Sequence, residues 1–281
     1  MAKNSRPAIY GVLGYPVKHS LSPSMHNAAF KALKINAEYR LFKVRPQDLG
    51  NFLNSLKENN IYGLNVTIPY KEKVAPFLKK LSDEAKLIGA VNTIKALADG
   101  LEGFNTDGEG FLQHLRQDLG FNPQDKTIAI LGAGGAARAI SVYLSKNTPR
   151  LIAIYDIDKT KAETLINYLK ENFKDIEFKV ANSIEGLNIG DCHLLVNATP
   201  IGMKDSDPCL VDKKFIHNNL LVYDLIYNPP ETKLLALAKK VGAKVSNGLG
   251  MLLYQGTLSF KIWIGQDAPF KIMRQALEKG L

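Results

Sequence analysis

The chain has 281 residues, 46% of them hydrophobic and 22% charged, enough for two modest domains each with its own core. Lysine and arginine outnumber aspartate and glutamate by 36 to 27, for a net charge of +9. The basic residues are scattered along helix faces (Lys31, Lys34, Lys79, Lys80, Lys239, Lys240) without a helix-turn-helix, RNP or zinc-finger signature, so no nucleic acid is expected as partner. The excess reads as solvated surface with a mild attraction for small anions. No apolar run approaches the ~20 residues that span a bilayer. The start, MAKNSRPAIYGVLG, lacks the basic, apolar, small-residue order of a secretory signal, which points to cytoplasmic residence. Cys192 and Cys209 suit neither a disulfide framework nor a metal site, and His19, His26, His114, His193 and His217 form no ligand spacing.

In chain order, residues 8–13 (AIYGVL) read as a buried strand. A loop then leads to a helix with Ser22 as N-cap, Pro23 at the first helical position, and Met25, Ala29, Phe30 and Leu33 on its apolar face. Residues 37–44 alternate as a strand, and Pro46 opens a helix to about Glu58. Residues 61–68 (IYGLNVTI) form a strand stopped by Pro69, with helices expected over 71–81 and 82–87. Two short strands, AVNTIKAL and LEGFNTD, follow, and a helix from Asp107 closes at Gly120.

The strand from Thr127 runs into TIAILGAGGAARA, which matches G-x-G-x-x-A at Gly132, Gly134 and Ala137. Glycines permit a sharp turn and close approach of a pyrophosphate, whose charge is received by free N–H groups at a helix N-terminus. With strand before and helix after, this predicts a dinucleotide site. Strands LIAIYD, IEFKVA, HLLVNAT, LLVYDLI and AKVSN then alternate with helices over 159–172 and 231–240, and a further helix spans 250–264. Such alternation predicts a parallel sheet covered by helices. The expected division is a domain over 1–106, a dinucleotide domain over 107–247, and C-terminal helices over 248–281.

Three polar clusters stand out. In NVTIPYK, Asn65 and Thr67 share a strand face and Lys71 falls just beyond the same strand end. GAVNT carries Asn92 and Thr93, and GFNTDGEG carries Asn105, Thr106 and Asp107. Asp107 has a plain alternative role as a helix N-cap, and Ser22 likewise. Ser20 and Ser22 place hydroxyls at a helix start, which suits a carboxylate. Gln255 lies four residues after Met251, on the same helix face.

Taken together and in this order, GYPVKHSLSPSMHN, NVTIPYK, GAVNT, GFNTDG, GAGGAARA, NATPIGM and NGLGMLLYQG resemble the shikimate/quinate dehydrogenase family, over about residues 10–256. The resemblance implies an N-terminal α/β substrate domain, completed by the C-terminal helices, and a Rossmann-like parallel-sheet dinucleotide domain. It implies reversible reduction of 3-dehydroshikimate to shikimate by a nicotinamide cofactor, within aromatic amino acid biosynthesis. Lys71 and Asp107 match the family's catalytic pair. Ser20 and Ser22 match hydroxyls for the substrate carboxylate; Asn65, Thr67, Asn92, Tyr227 and Gln255 match groups that hold the rest of the substrate. The cofactor is expected against Gly132, Ala133, Gly134, Gly135 and Ala136, with Asp156, Leu225 and Gly248; no metal is implied.

One departure bears on the cofactor, NAD(P)H. Many members carry Asn-Arg-Thr after the second strand of the dinucleotide domain, the arginine holding the 2′-phosphate of NADP. Here Asp156, Ile157 and Asp158 stand there, with Asp156 placed 24 residues after Gly132, where an acid typically receives the ribose 2′-hydroxyl of NAD. NAD is therefore expected over NADP, with Lys159 or Lys161 as partial compensation for a phosphate. A bifunctional quinate/shikimate dehydrogenase using NAD is one alternative. A dinucleotide or metabolite sensor is another, disfavoured because a binder has no need of Lys71 and Asp107.

Overall fold

The structure is a computed structural model that describes residues 6–18 and 20–280; His19 lies outside them. The chain divides into two compact units, one made of residues 1–110 with 252–281, the other of residues 111–251. Both divisions fall inside helices, which is why no loop composition marks them. Among the described residues no helix is long and apolar enough to cross a membrane.

The first unit is built on a six-stranded sheet. Its strands are β1 (Ala8–Gly14), β2 (Ala37–Lys43), β3 (Ile61–Val66), β4 (Lys80–Leu81), β5 (Thr93–Leu97) and β6 (Gly100–Phe104), in the order β2-β1-β3-β5-β6-β4. The sheet is mixed, not wholly parallel: β2, β1 and β3 run together, but β5 lies antiparallel between β3 and β6. The cause is local. Only Ala98 and Asp99 separate β5 from β6, too few for a crossover, so the pair can only close as a hairpin. Leu13, Leu64, Val66, Tyr70, Val74 and Ile94 form the core on this sheet.

Three helix expectations change. In α1 (Ser22–Ala32) the capping position is Leu21, and Ser22 is already helical, with Pro23 in the first turn. The segment after Pro46 is a 3₁₀ turn, Pro46–Asp48, followed by a short helix α2 (Leu49–Asn54). No α-helix covers 71–81: the segment is turns, a 3₁₀ turn at Ala75–Phe77, and β4, before α3 (Asp83–Ile88). Pro76 cannot donate to a helix ladder, and the Lys79 N–H is drawn to Leu101 O at 2.8 Å. Tertiary strand pairing overrode the local pattern.

The second unit holds β7 (Thr127–Leu131), β8 (Leu151–Tyr155), β9 (Glu177–Val180), β10 (Leu194–Asn197), β11 (Leu221–Asp224) and β12 (Lys244–Ser246). Every pairing in it is parallel, in the order β12-β11-β10-β7-β8-β9. This is the doubly wound dinucleotide-binding arrangement, with β7 at the point where strand order reverses. Helices α5 (Gly135–Ser145), α6 (Lys159–Asn172) and α7 (Lys233–Val241) connect its strands. Helix α4 (Asp107–Gln117) carries the chain into this unit, and α8 (Leu249–Ile264) carries it out to α9 (Phe270–Glu278).

Within the first unit, His26 on α1 is fully buried, its ring stacked on Tyr39 at 4.4 Å and 8°. Burial pushes its pKa from 6.5 down to about 3, so the ring is neutral in the folded protein. Protonation then favours the unfolded chain, and this contribution is complete above pH 6.5 and lost as pH falls from 6.5 toward 3. His26→Phe keeps an aromatic ring on Tyr39 without the titration. Chemical denaturation between pH 7 and 4 is expected to show the parent losing stability more steeply than this variant; parallel curves would contradict the assignment.

Candidate active site

Tyr39 of β2, the end of β3, the start of β5, the start of α4 and one face of α8 bring together polar side chains from five separate stretches of the first unit. Lys71 stands just past β3, after Pro69 has ended the strand. Its Nζ donates to Asp107 Oδ2 at 2.6 Å, and both side chains are largely withdrawn from solvent, at 17% and 6% exposure. Asp107 opens α4 but does not cap it. The Asp107 N–H instead donates to Asn105 Oδ1 at 3.0 Å, which leaves the carboxylate free for side chains.

The second carboxylate oxygen is taken as well: Asn92 Nδ2 donates to Asp107 Oδ1 at 2.8 Å. Asn92 Oδ1 receives the Thr106 N–H at 2.8 Å and the Thr93 hydroxyl at 2.9 Å, so the amide cannot rotate without breaking both. On the other side of Thr93 lies Ser259, whose Oγ sits 2.8 Å from Thr93 Oγ1, 3.1 Å from Thr106 Oγ1 and 3.0 Å from the donating Asn65 Nδ2. Asn65 Oδ1 in turn receives the Tyr39 hydroxyl at 2.7 Å. A continuous hydrogen-bonded network thus runs from Lys71 to Tyr39. Apart from the ion pair at one end, its members are neutral amides and hydroxyls.

Of the other expected substrate groups, one touches this network. Gln255, on α8, has Oε1 3.4 Å from Asn92 Nδ2, while its Nε2 donates to Leu252 O at 2.8 Å within its own helix. Gly110 makes that approach of α4 and α8 feasible, since a Cβ there would come within 2.6 Å of the Gln255 backbone nitrogen. Thr67 stands just past the end of β3, half-buried, with its N–H donating to Leu13 O at 2.9 Å. Ser20 Oγ donates to Ser22 Oγ at 3.1 Å and receives the Ser22 N–H at 3.3 Å, so both hydroxyls gather at the start of α1.

Ser259 and Tyr39 belong to the network without having been singled out in the sequence. Ser259 sits one helical turn beyond Gln255 in a run that is otherwise strongly apolar, and that spacing was the available signal. Tyr39 is one of two aromatics in an alternating strand, and nothing local sets it apart from Phe42.

In the second unit the glycine turn follows β7. Gly132 adopts φ +100°, its N–H donates to Tyr155 O at 2.7 Å, and a Cβ there would lie 3.1 Å from the Ala198 carbonyl. Gly134 caps α5 with open space where a side chain would stand, and the first-turn N–H groups from Gly135 and Ala136 have no helical acceptor. This is a fit for a pyrophosphate. Asp156, after β8, accepts from the Ala133 N–H at 2.7 Å and from the Asp158 N–H at 2.8 Å, one on each oxygen. Ile157 beside it is 94% exposed. Leu225 and Gly248 meet at the ends of β11 and β12: a Cβ on Gly248 would fall 2.0 Å from Leu225 O, so only glycine fits. Tyr227 lies in the loop after β11, in this unit.

Comparison with known proteins bears on both units. Residues 12–94 match the family model of the shikimate dehydrogenase substrate binding domain, and residues 248–278 that of the shikimate 5'-dehydrogenase C-terminal domain. A curated relative from Methanopyrus kandleri, named shikimate dehydrogenase (NADP(+)), is 46% identical over 96% of this chain and 94% of its own. A crystal structure of a shikimate dehydrogenase in complex with NADP+ superposes with a TM-score of 0.90 at 40% identity, covering 98% of this chain and 96% of that one. One from Listeria monocytogenes, in complex with shikimate and NAD, gives 0.87 at 31% identity, covering 99% and 98%. Likeness of this extent, over nearly the whole of both chains, places the protein: it is an oxidoreductase belonging to the shikimate dehydrogenase family.

Proposed function

We propose that the chain interconverts 3-dehydroshikimate and shikimate with a nicotinamide dinucleotide, and that Lys71 and Asp107 perform the proton transfer. The observation that carries this is the 2.6 Å contact between Lys71 Nζ and Asp107 Oδ2 inside a network of neutral hydrogen-bonding groups. When bound, the nicotinamide supplies or accepts the hydride. The protein must handle the proton. In reduction, the carbonyl oxygen gains negative charge and Lys71, as ammonium, is the donor beside it; in oxidation, the same amine receives the hydroxyl proton. Asp107, held by Asn92 on its other oxygen, directs one Nζ–H and leaves the remaining two for substrate.

Ser20 and Ser22 offer hydroxyls at the positive end of α1, chemistry suited to the substrate carboxylate. Thr67, Asn65, Asn92, Gln255 and Tyr227 are assigned to the rest of the substrate. Asn65 acts with its partners in place: both amide protons face Ser259, Thr93 and Asn92 O, so the remaining lone pair on Oδ1 is what it offers to a hydroxyl. Lys71→Ala is expected to lower turnover about 100-fold while shikimate KM stays within about threefold, as befits a group that acts on the transition state. Steady-state kinetics decide it, and turnover within about threefold of the parent removes Lys71 from the chemistry.

For the dinucleotide, our reading is NAD in preference to NADP. Asp156 stands at the end of β8 with a lone pair left on each oxygen for a ribose hydroxyl, Asp158 adds a second carboxylate, and the exposed Ile157 offers no guanidinium to a phosphate. Of the nearby cations, Lys161 is 3.6 Å from Asp158 and Lys159 is 3.6 Å from Glu163. The names of the curated relatives, shikimate dehydrogenase (NADP(+)) at 37–46% identity, run against this preference. The ratio of kcat/KM for the two dinucleotides, with shikimate and with quinate, separates the cases. A ratio of about ten or more in favour of NAD is expected, falling in Asp156→Asn/Ile157→Arg. A parent that prefers NADP refutes the reading.

A further inference from the structure

At the ends of the neighbouring strands β10 and β11, Asn197 and Asp224 stand opposite each other in register. Both are fully buried. Among the described residues Asp224 meets no cation. Its partners are three neutral donors: Asn197 Nδ2 at 3.0 Å and the Ile226 N–H at 3.1 Å on Oδ1, and the Thr232 hydroxyl at 2.7 Å on Oδ2. Burial pushes its carboxyl above the ordinary aspartate range, while the bonds from Thr232, Ile226 and Asn197 pull it down. Burying an uncompensated carboxylate is costly, so the three donors are the reason that it is tolerated. A carboxylate is also the side chain that three converging donors require, because an amide would turn two protons of its own toward them.

The donors are spaced so that they define a loop. Ile226 and Thr232 are the two ends of the segment that carries Tyr227 and the Asn228–Pro229 bond. Thr232 also caps α7, accepting from the Leu235 N–H at 3.3 Å, so one hydroxyl ties the loop exit to both the sheet and the helix. Asn197 does the same for the preceding loop. Its Nδ2 donates to Ile201 O at 3.1 Å, and its Oδ1 receives the Thr199 hydroxyl at 2.7 Å and the Thr199 N–H at 3.1 Å. Gly202, at φ +114°, then packs 3.3 to 3.4 Å from Ile226 and Thr232, as measured from where a Cβ would stand. Leu225 is held from both sides, its N–H on Asn197 O at 2.9 Å and its carbonyl against Gly248.

We infer that Asp224 and Asn197 form a positioning pair that sets the 225–232 loop, and with it Leu225 and Tyr227, in its ligand-binding shape. The pair acts through the loop and touches neither ligand itself; the inference rests on the assignment of Leu225 to the dinucleotide and Tyr227 to the substrate.

Thr232→Val removes the hydroxyl that ties the loop exit to Asp224 and to α7 while keeping the shape of the side chain, Thr232→Ser keeps the hydroxyl, and Asp224→Asn turns one of the two acceptor oxygens into a donor. In Thr232→Val, KM for shikimate and the dissociation constant for NADH, read from its fluorescence, are each expected to rise about tenfold, the size expected when the tether to Asp224 is lost. Turnover should fall by less than KM rises, and Thr232→Ser should return both constants to within about twofold. Amide hydrogen exchange should quicken over 226–231 in Thr232→Val and Asp224→Asn, with β10 and β11 unchanged. A lower melting temperature with unaltered KM and NADH affinity would show a scaffold role only and overturn the inference, as would unchanged exchange in the loop. If the parent chain oxidises no shikimate with either dinucleotide, the functional reading fails instead, and NADH titration with exchange still decides the role of the pair. If Asp224→Asn does not fold, the Thr232 variants carry the test alone.

Discussion

One ion pair organises the first unit. An ammonium and a carboxylate withdrawn from water cost more to desolvate than a surface pair, and are tolerated only when their remaining protons and lone pairs find partners. Asp107 meets this condition through Asn92, and Asn92 through Thr106 and Thr93, until the requirement reaches Ser259, Asn65 and Tyr39. Each member is locked by the next, so the ammonium is aimed before any ligand arrives. Preorganisation of this kind is what a proton donor to a developing alkoxide needs.

The second unit meets a different demand with related means. A dinucleotide is recognised mainly by backbone, so the work lies in shaping loops at strand ends. Gly132 and Gly134 shape the first turn, and Asp156 braces it by accepting from Ala133. Asn197 and Asp224 brace the loops that follow β10 and β11. Both acids are spent on N–H and O–H donors of loops rather than on cations. In the two units alike, one buried carboxylate serves as the anchor for segments distant in sequence.

What could be read beforehand followed the range of the signal. Helix α6 was legible to both ends, because Asp158 caps it and its apolar residues recur at helical spacing. The glycine turn announced itself because three residues at fixed offsets have one physical purpose. Residues 71–81 misled, since Leu101 competes for their backbone from another part of the chain. Lys71 and Asp107 are 36 residues apart, and no spacing rule brings them together; only the resemblance of several motifs in order suggested that they meet. Ser259 stayed hidden because a hydroxyl in an apolar helix normally bonds back to its own turn, as Thr257 does to Tyr254 O. Ser259 does so too, to Gln255 O, while also serving three neighbours.

The most direct measurement of the central claim is a double-mutant cycle on turnover with Lys71→Ala, Asp107→Asn and the two combined. If the amine and the carboxylate work as one unit, the double variant should be no slower than the slower single variant, by grossly non-additive losses. Losses that multiply, with each substitution acting as though the other residue were absent, would contradict the account.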